Sequence, residues 1–99
     1  MDREVAWTDS AADDLDLIGE YIAADSPDRA ASVIRDLVAA GGSLARFADR
    51  GRSVPEYGEP TIRELFVHGY RLIYQAASRV LVPRVIHGAR ELPRARPSS

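Results

Sequence analysis

Ninety-nine residues make one domain with one core, and the absence of cysteine excludes a disulfide framework and any thiolate metal site. No apolar run approaches the roughly 18–20 residues of a membrane span, and the opening MDREVAW lacks the basic and apolar regions of a signal peptide, so a soluble cytoplasmic chain is expected. The formal net charge of −2 hides a division: residues 1–49 carry eleven Asp/Glu against four Arg, and residues 50–99 carry nine Arg against four Glu. A basic second half attracts a polyanion or an acidic partner, unless the two halves neutralise each other inside the fold. Every cation is Arg, whose guanidinium makes bidentate contacts to carboxylate and phosphate that an ammonium cannot.

In chain order, Glu4-Val5-Ala6-Trp7 reads as a short strand, and Thr8, Asp9 and Ser10 are each able to cap a helix. Ala11, Leu15, Ile18 and Ile22 then recur at helical spacing with carboxylates on the other faces, which predicts an amphipathic helix. Tyr21 falls at the edge of its buried stripe. Ser26 and Pro27 suit the N-cap and first position of a second helix. Ala30, Ile34, Leu37, Gly41 and Leu44 carry its stripe, widened by Val33, Val38 and Phe47. Gly41 and Gly42 each cost about 1 kcal/mol relative to Ala in a helix interior. They mark either a kink or a close approach to the first helix, with helix expected on both sides because the stripe keeps its phase.

Residues 49–60, with two Gly and two Pro, read as a polar loop. Three runs rich in β-branched and aromatic residues follow: Ile62, Leu65, Phe66 and Val67, then Leu72, Ile73 and Tyr74, then residues 80–87. His68-Gly69 divides the first two and residues 76–79 the next two, the pattern of an antiparallel meander. Pro83 removes a ladder donor and predicts an edge position, a bulge or a break. The expected fold class is α+β in the order β-α-α-β-β-β, a helical hairpin packed on a small, mainly antiparallel sheet. One domain is expected over residues 1–91, with a flexible Pro- and Arg-rich tail over residues 92–99.

The sheet half holds the residues suited to binding: Arg63, Arg71, Tyr74, Arg84, His87 and Arg90. Four of them have a plainer reading. Arg71 pairs with Glu64 on the neighbouring strand, Arg63 and Glu64 form ordinary cross-strand pairs, Tyr70 and Tyr74 are core, and His87 is a hydrogen-bonded strand end. His68 and His87 stand apart with no ligand cluster, so no metal site is expected. There is no Gly-rich phosphate loop, no nucleophile elbow and no cysteine nucleophile, so no cofactor is expected.

Several motifs carry a resemblance. They are Trp7, Asp14-Leu15, Ile18, Tyr21-Ile22, Pro27 with Ala30, Gly51-Arg52 and Val54-Pro55-Glu56. Ile62-Arg63-Glu64, Tyr70-Arg71-Leu72-Ile73-Tyr74 and His87-Gly88-Ala89-Arg90 complete the set. In order and spacing over residues 5–90 the chain resembles the RelE/ParE superfamily of bacterial toxins, on its ParE-like branch. The resemblance implies a toxin encoded beside a cognate, ParD-like antitoxin that wraps a segment around helices and sheet, as a hetero-oligomer or with a toxin dimer. It implies DNA gyrase as the target, with arrest of replication and no chemical step of the toxin's own. RelE-like relatives instead cleave messenger RNA on the ribosome.

By the same resemblance, Arg71 and Arg90 stand where RNA-cleaving relatives carry phosphate-stabilising arginines. His87 is then the proton carrier and Glu56 or Glu64 a second one. Two departures favour the gyrase branch: the chain is mildly acidic, and it ends without the tyrosine or paired lysines of the RNA-cleaving relatives. A third reading keeps the chain as an antitoxin-binding partner with little toxicity.

Overall fold

The computed structural model describes residues 2–90; the tail expected over residues 92–99 lies outside the described residues. Thr8 starts the first helix and ties it to the sheet with one hydroxyl. Its Oγ1 accepts from the Ala11 N–H at 3.1 Å, the N-cap bond, and donates to the Pro83 carbonyl at 3.0 Å. The helix so begun, α1 (Asp9–Ala23), buries Ala11, Ile18 and Ile22. After Ala24 and Asp25, Ser26 Oγ caps α2 (Pro27–Ser43) by accepting from the Arg29 N–H, with Pro27 inside the first turn as expected. So short a link forces the two helices to pack as a hairpin.

α2 stops earlier than its stripe implies. Beyond Ser43 the chain tightens through Leu44 N–H to Gly41 and Ala45 N–H to Gly42 carbonyl bonds. Leu44 stays buried, but Phe47 is turned out to solvent, as is Val38. Gly41 marks a close approach, and its neighbour is Trp7 of the first strand: a Cβ there would stand 2.3 Å from the indole ring. Gly42 has open space around it. The first glycine is thus a seat for the tryptophan, and the close approach is to β1.

The sheet has five strands in the order β1-β5-β4-β3-β2. They are β1 (Val5–Trp7), β2 (Arg52–Ser53), β3 (Ile62–Val67), β4 (Tyr70–Ala76) and β5 (Val80–His87). β1 runs parallel to β5 and every other pairing is antiparallel. β2 is the one element absent from the expected order. Its two residues pair with Glu64 and Arg63 inside the segment read as loop, too short a strand to leave a periodicity. His68 and Gly69 both take positive φ, 52° and 83°, and close the β3–β4 hairpin in two residues. Pro83 sits in an irregularity: Ile73 faces Arg84 and Gln75 faces Leu81, so Val82 and Pro83 together oppose Tyr74. The missing donor falls in the bulge, where the ladder does not need it.

Both sheet faces are covered, differently. On one side α1 and α2 close over Leu65, Leu72, Tyr74, Val80, Val82 and Val85. On the other, the chain after β2 folds back so that Val54 and Tyr57 cover Ile62, Ile73 and Ile86. Tyr74 anchors that excursion: its hydroxyl donates to the Ala48 carbonyl at 2.8 Å and accepts from the Gly51 N–H at 2.9 Å. Gly51 leaves room for this, since a Cβ would meet the Tyr74 hydroxyl and the Glu64 carbonyl at 2.6 Å. Among the described residues, no helix is long and apolar enough to cross a membrane.

Candidate functional site

The sequence-derived candidates separate into two places. Arg71 points to the face away from the helices and is buried there. Its Nε donates to Glu64 at 2.6 Å, its Nη1 and Nη2 grip both oxygens of Glu56 at 2.8 Å, and Nη1 also reaches the Arg90 carbonyl at 3.0 Å. Glu64, itself fully buried, accepts from Arg52 Nε at 2.8 Å with its other oxygen. Arg52 in turn lies over the exposed Phe66 ring, 4.9 Å from its centroid. The Glu56 bonds, against the cost of burial, raise the Arg71 pKa above its ordinary value, and Glu64 adds to this. The guanidinium is committed to internal carboxylates and a carbonyl. Its Glu64 partner is diagonal, since Arg71 itself is in register with Phe66. Glu56 comes from the loop, a partner that strand pairing could not reveal.

Tyr74 is fully buried and bonded within the core. Arg63 lies at the helix side of β3, where its Nη1 donates to the Gly51 carbonyl at 2.8 Å and holds the loop.

Arg84, His87 and Arg90 come together elsewhere, in an open groove of about 510 Å³ between α1 and the outer edge of β5. That edge is only half covered. β1 pairs with Val80, Leu81 and Val82 and then ends. Thr8 takes the Pro83 carbonyl, and Asp14 of α1 takes the next donor: its Oδ2 accepts from the Val85 N–H and from Arg84 Nε, both at 2.8 Å. The Asp14 bonds are the largest cause of the raised Arg84 pKa, opposed by burial. Backbone groups alternate along a strand, so the Val85 and His87 edge faces the groove and not β4.

Leu17 and Tyr21 of α1 stand over this edge, and they are 64% and 78% exposed. Neither was singled out in sequence as a contact residue, although Tyr21 belongs to the motif set. The signal was present, since Leu17 and Tyr21 are a helical four apart and lie beside the buried stripe. Arg29 from α2 and His68 from the hairpin turn complete the rim, with Asp14 the only carboxylate lining the groove among the described residues. His68 Nε2 is 2.7 Å from Asp36 of α2. His87 is exposed, meets Tyr70 edge-to-face at 5.8 Å, and accepts the Ala89 N–H on Nδ1, leaving Nε2 to carry the proton of the neutral ring. The groove can therefore bind an apolar segment carrying carboxylates.

The charge division is partly neutralised within the fold. Asp14 with Arg84 and Glu4 with Arg79 join the two halves. Among the described residues, no group of three His, Asp or Glu side chains is placed to hold a metal ion.

Solved structures share the arrangement. The chromosomal ParDE toxin–antitoxin system of P. aeruginosa contains a chain that is 24% identical, with a TM-score of 0.70 over 86% of this chain and 95% of that one. A chain of the RelBE2 toxin–antitoxin complex of Mycobacterium tuberculosis is 25% identical, with a TM-score of 0.60 over 88% of this chain and 99% of that one. No curated protein sequence matches. The profile described as the ParE toxin of the type II toxin–antitoxin system parDE matches residues 5–92, almost the whole fold described above, and the chain belongs to that family as a type II toxin.

Proposed function

We propose that this toxin acts in the cytoplasm on DNA gyrase, arresting replication, and that a cognate antitoxin neutralises it by filling the groove between α1 and β5. The observation that carries the choice of target is the state of Arg71. RNA cleavage needs cations free to meet the phosphate charge that grows in the transition state. The guanidinium aligned with that role is buried and already holds two carboxylates and a carbonyl. Glu56 and Glu64, the candidate second proton carriers, are the groups that hold it. His87 stands in the groove without a carboxylate base beside it among the described bonds. A protein that works by binding fits this better than one that works by acid–base chemistry.

The antitoxin part rests on the groove. Leu17 and Tyr21 offer apolar area, and Arg29 and Arg90 offer charge to an acidic, amphipathic segment. The test uses purified toxin with gyrase and supercoiled DNA. Stabilised cleaved complexes that disappear on adding antitoxin are expected, with no RNA cut alone or on ribosomes.

The second reading, a ribosome-dependent endoribonuclease, is favoured by one observation, the convergence of Arg84, His87 and Arg90 in an open groove. Codon-phased RNA cleavage abolished by His87→Ala would establish it and overturn the gyrase reading.

A further inference from the structure

A second depression, of about 440 Å³, lies at the other end of α2 from the groove, where the chain leaves the helix. It is lined by Arg3, Arg46, Arg50 and the exposed ring of Phe47. Asp49 is the one carboxylate in its lining among the described residues. Three of the arginines around this loop meet only neutral oxygens among the described residues. Arg3 Nη1 donates to the Ala77 carbonyl, Arg50 Nη1 to Ser43 Oγ, and Arg63 Nη1 to the carbonyls of Gly51 and Asp49. Arg46 reaches Asp2 only at 3.9 Å, with both side chains mostly in water, where such a pair is weak. The same Arg46 guanidinium stands over the Phe47 ring, 5.8 Å from its centroid.

We infer that this depression binds a single strand of nucleic acid, with phosphates on Arg3, Arg46 and Arg50 and an unstacked base on Phe47. Two features separate this ligand from an acidic protein segment. The cations are guanidiniums whose forks match phosphate oxygens and are not already held by carboxylates. An exposed aromatic ring flanked by a cation is the element on which successive bases stack, while duplex DNA keeps its base faces hidden. Arg71 and Arg84 are held by carboxylates, whereas Arg3 and Arg50 here donate to neutral oxygens. The seventeen residues of α2 separate the two depressions by roughly 25 Å, so a strand here and a partner in the groove can be held together. This binding goes beyond the toxin reading and stands or falls separately from the identity of the target.

The experiment is fluorescence anisotropy of the full chain with short labelled oligothymidylate and oligouridylate, across a salt series. Binding that weakens with salt, with a log–log slope of about −0.7 for each phosphate neutralised, is the expected result. Phe47→Ala lowers the affinity roughly tenfold, and Arg46→Gln with Arg50→Gln flattens the slope. Arg35→Gln, exposed on α2 and in the lining of neither depression, changes neither. All these side chains are exposed, and thermal melts confirm that the variants remain folded. Preference between the two oligonucleotides tells DNA from RNA as the source of the strand. No salt-dependent binding to either, equal binding of a duplex, or an acidic peptide bound as tightly with Phe47→Ala unaffected would overturn the inference. Oligonucleotide binding with unimpaired gyrase would leave it standing and remove the gyrase reading instead.

Discussion

Glu56 grips the Arg71 guanidinium through two bonds of 2.8 Å, one from each terminal nitrogen, and so ties the loop after β2 to the middle of the sheet. With Glu64 on Nε, the arginine becomes the hub of a buried network whose other end is Arg52. Two carboxylates, one of them wholly buried, meet at this one cation, and Arg52 holds the buried one from its other oxygen.

Removing that cation is therefore a stability lesion. Arg71→Ala takes away the cation that buried Glu64 shares with Arg52 and that half-buried Glu56 grips, and breaking a buried ion pair from one side costs about 3–5 kcal/mol. The expected outcome is a large drop in the urea midpoint with little change in slope. Any loss of toxicity in Arg71→Ala then follows from unfolding and not from a lost contact. A variant that melts with the parent but is inactive would show Arg71 to be a contact residue after all.

Neighbouring glycines make a sharper contrast. Gly41→Ala pushes a methyl into the Trp7 ring at 2.3 Å and should destabilise by about 1–3 kcal/mol, the cost of overpacking a filled site. Gly42→Ala meets nothing within 4 Å and gains helix propensity, so it should stabilise by about 0.5–1 kcal/mol. Denaturant melts of the two variants should move in opposite directions.

Tyr74 gives the fold an alkaline limit. Burial, the largest cause, raises its hydroxyl pKa above the usual tyrosine value of about 10, with the Gly51 hydrogen bond opposing. A raised folded pKa means that its stabilisation is complete below the unfolded value and is lost as pH rises through the folded one. Stability of the parent should thus fall above about pH 10. Tyr74→Phe leaves the Ala48 carbonyl and Gly51 N–H without this partner, costing about 1–3 kcal/mol near neutrality. Its own stability should be flatter above pH 10 than the parent's, as measured by urea melts at a series of pH values.

What could be read in the chain, and what could not, divides by distance along it. The caps at Thr8 and Ser26 and the runs that became β3 and β5 are local patterns, and all stand where the residues imply. The α+β order was legible for the same reason. β2 was not, because two residues carry no alternation. The seat of Trp7 on Gly41 and the hold of Asp14 on Arg84 and Val85 join residues far apart, and only the packed fold brings them together. Among the candidate site residues, chemistry alone could not tell Arg71, saturated inside, from Arg90 at the groove. Each is an arginine near the end of a strand, and the difference is made by Glu56, a loop residue with no periodicity to place it.

The groove itself gives the last expectation. Leu17 and Tyr21 stand out from α1, and their exposure means that they contribute little to folding. Exposed rings and aliphatic chains kept beside an incompletely covered strand edge are the usual mark of a surface that another chain completes. Buried aromatic anchors typically carry the largest share of such an interface, about 2 kcal/mol or more each on truncation. Tyr21→Ala should accordingly weaken antitoxin binding by roughly thirtyfold or more, mostly through faster dissociation. The free toxin should melt within about 2–4 °C of the parent, because a surface change of this kind shifts stability by less than about 0.5 kcal/mol. Charge should act differently: Arg29→Gln on the rim should slow association and reduce its salt dependence. Calorimetry for affinity and stopped-flow mixing for the rates separate the two effects. An antitoxin that binds Tyr21→Ala and Leu17→Ala as tightly as the parent would place its footprint away from α1 and β5.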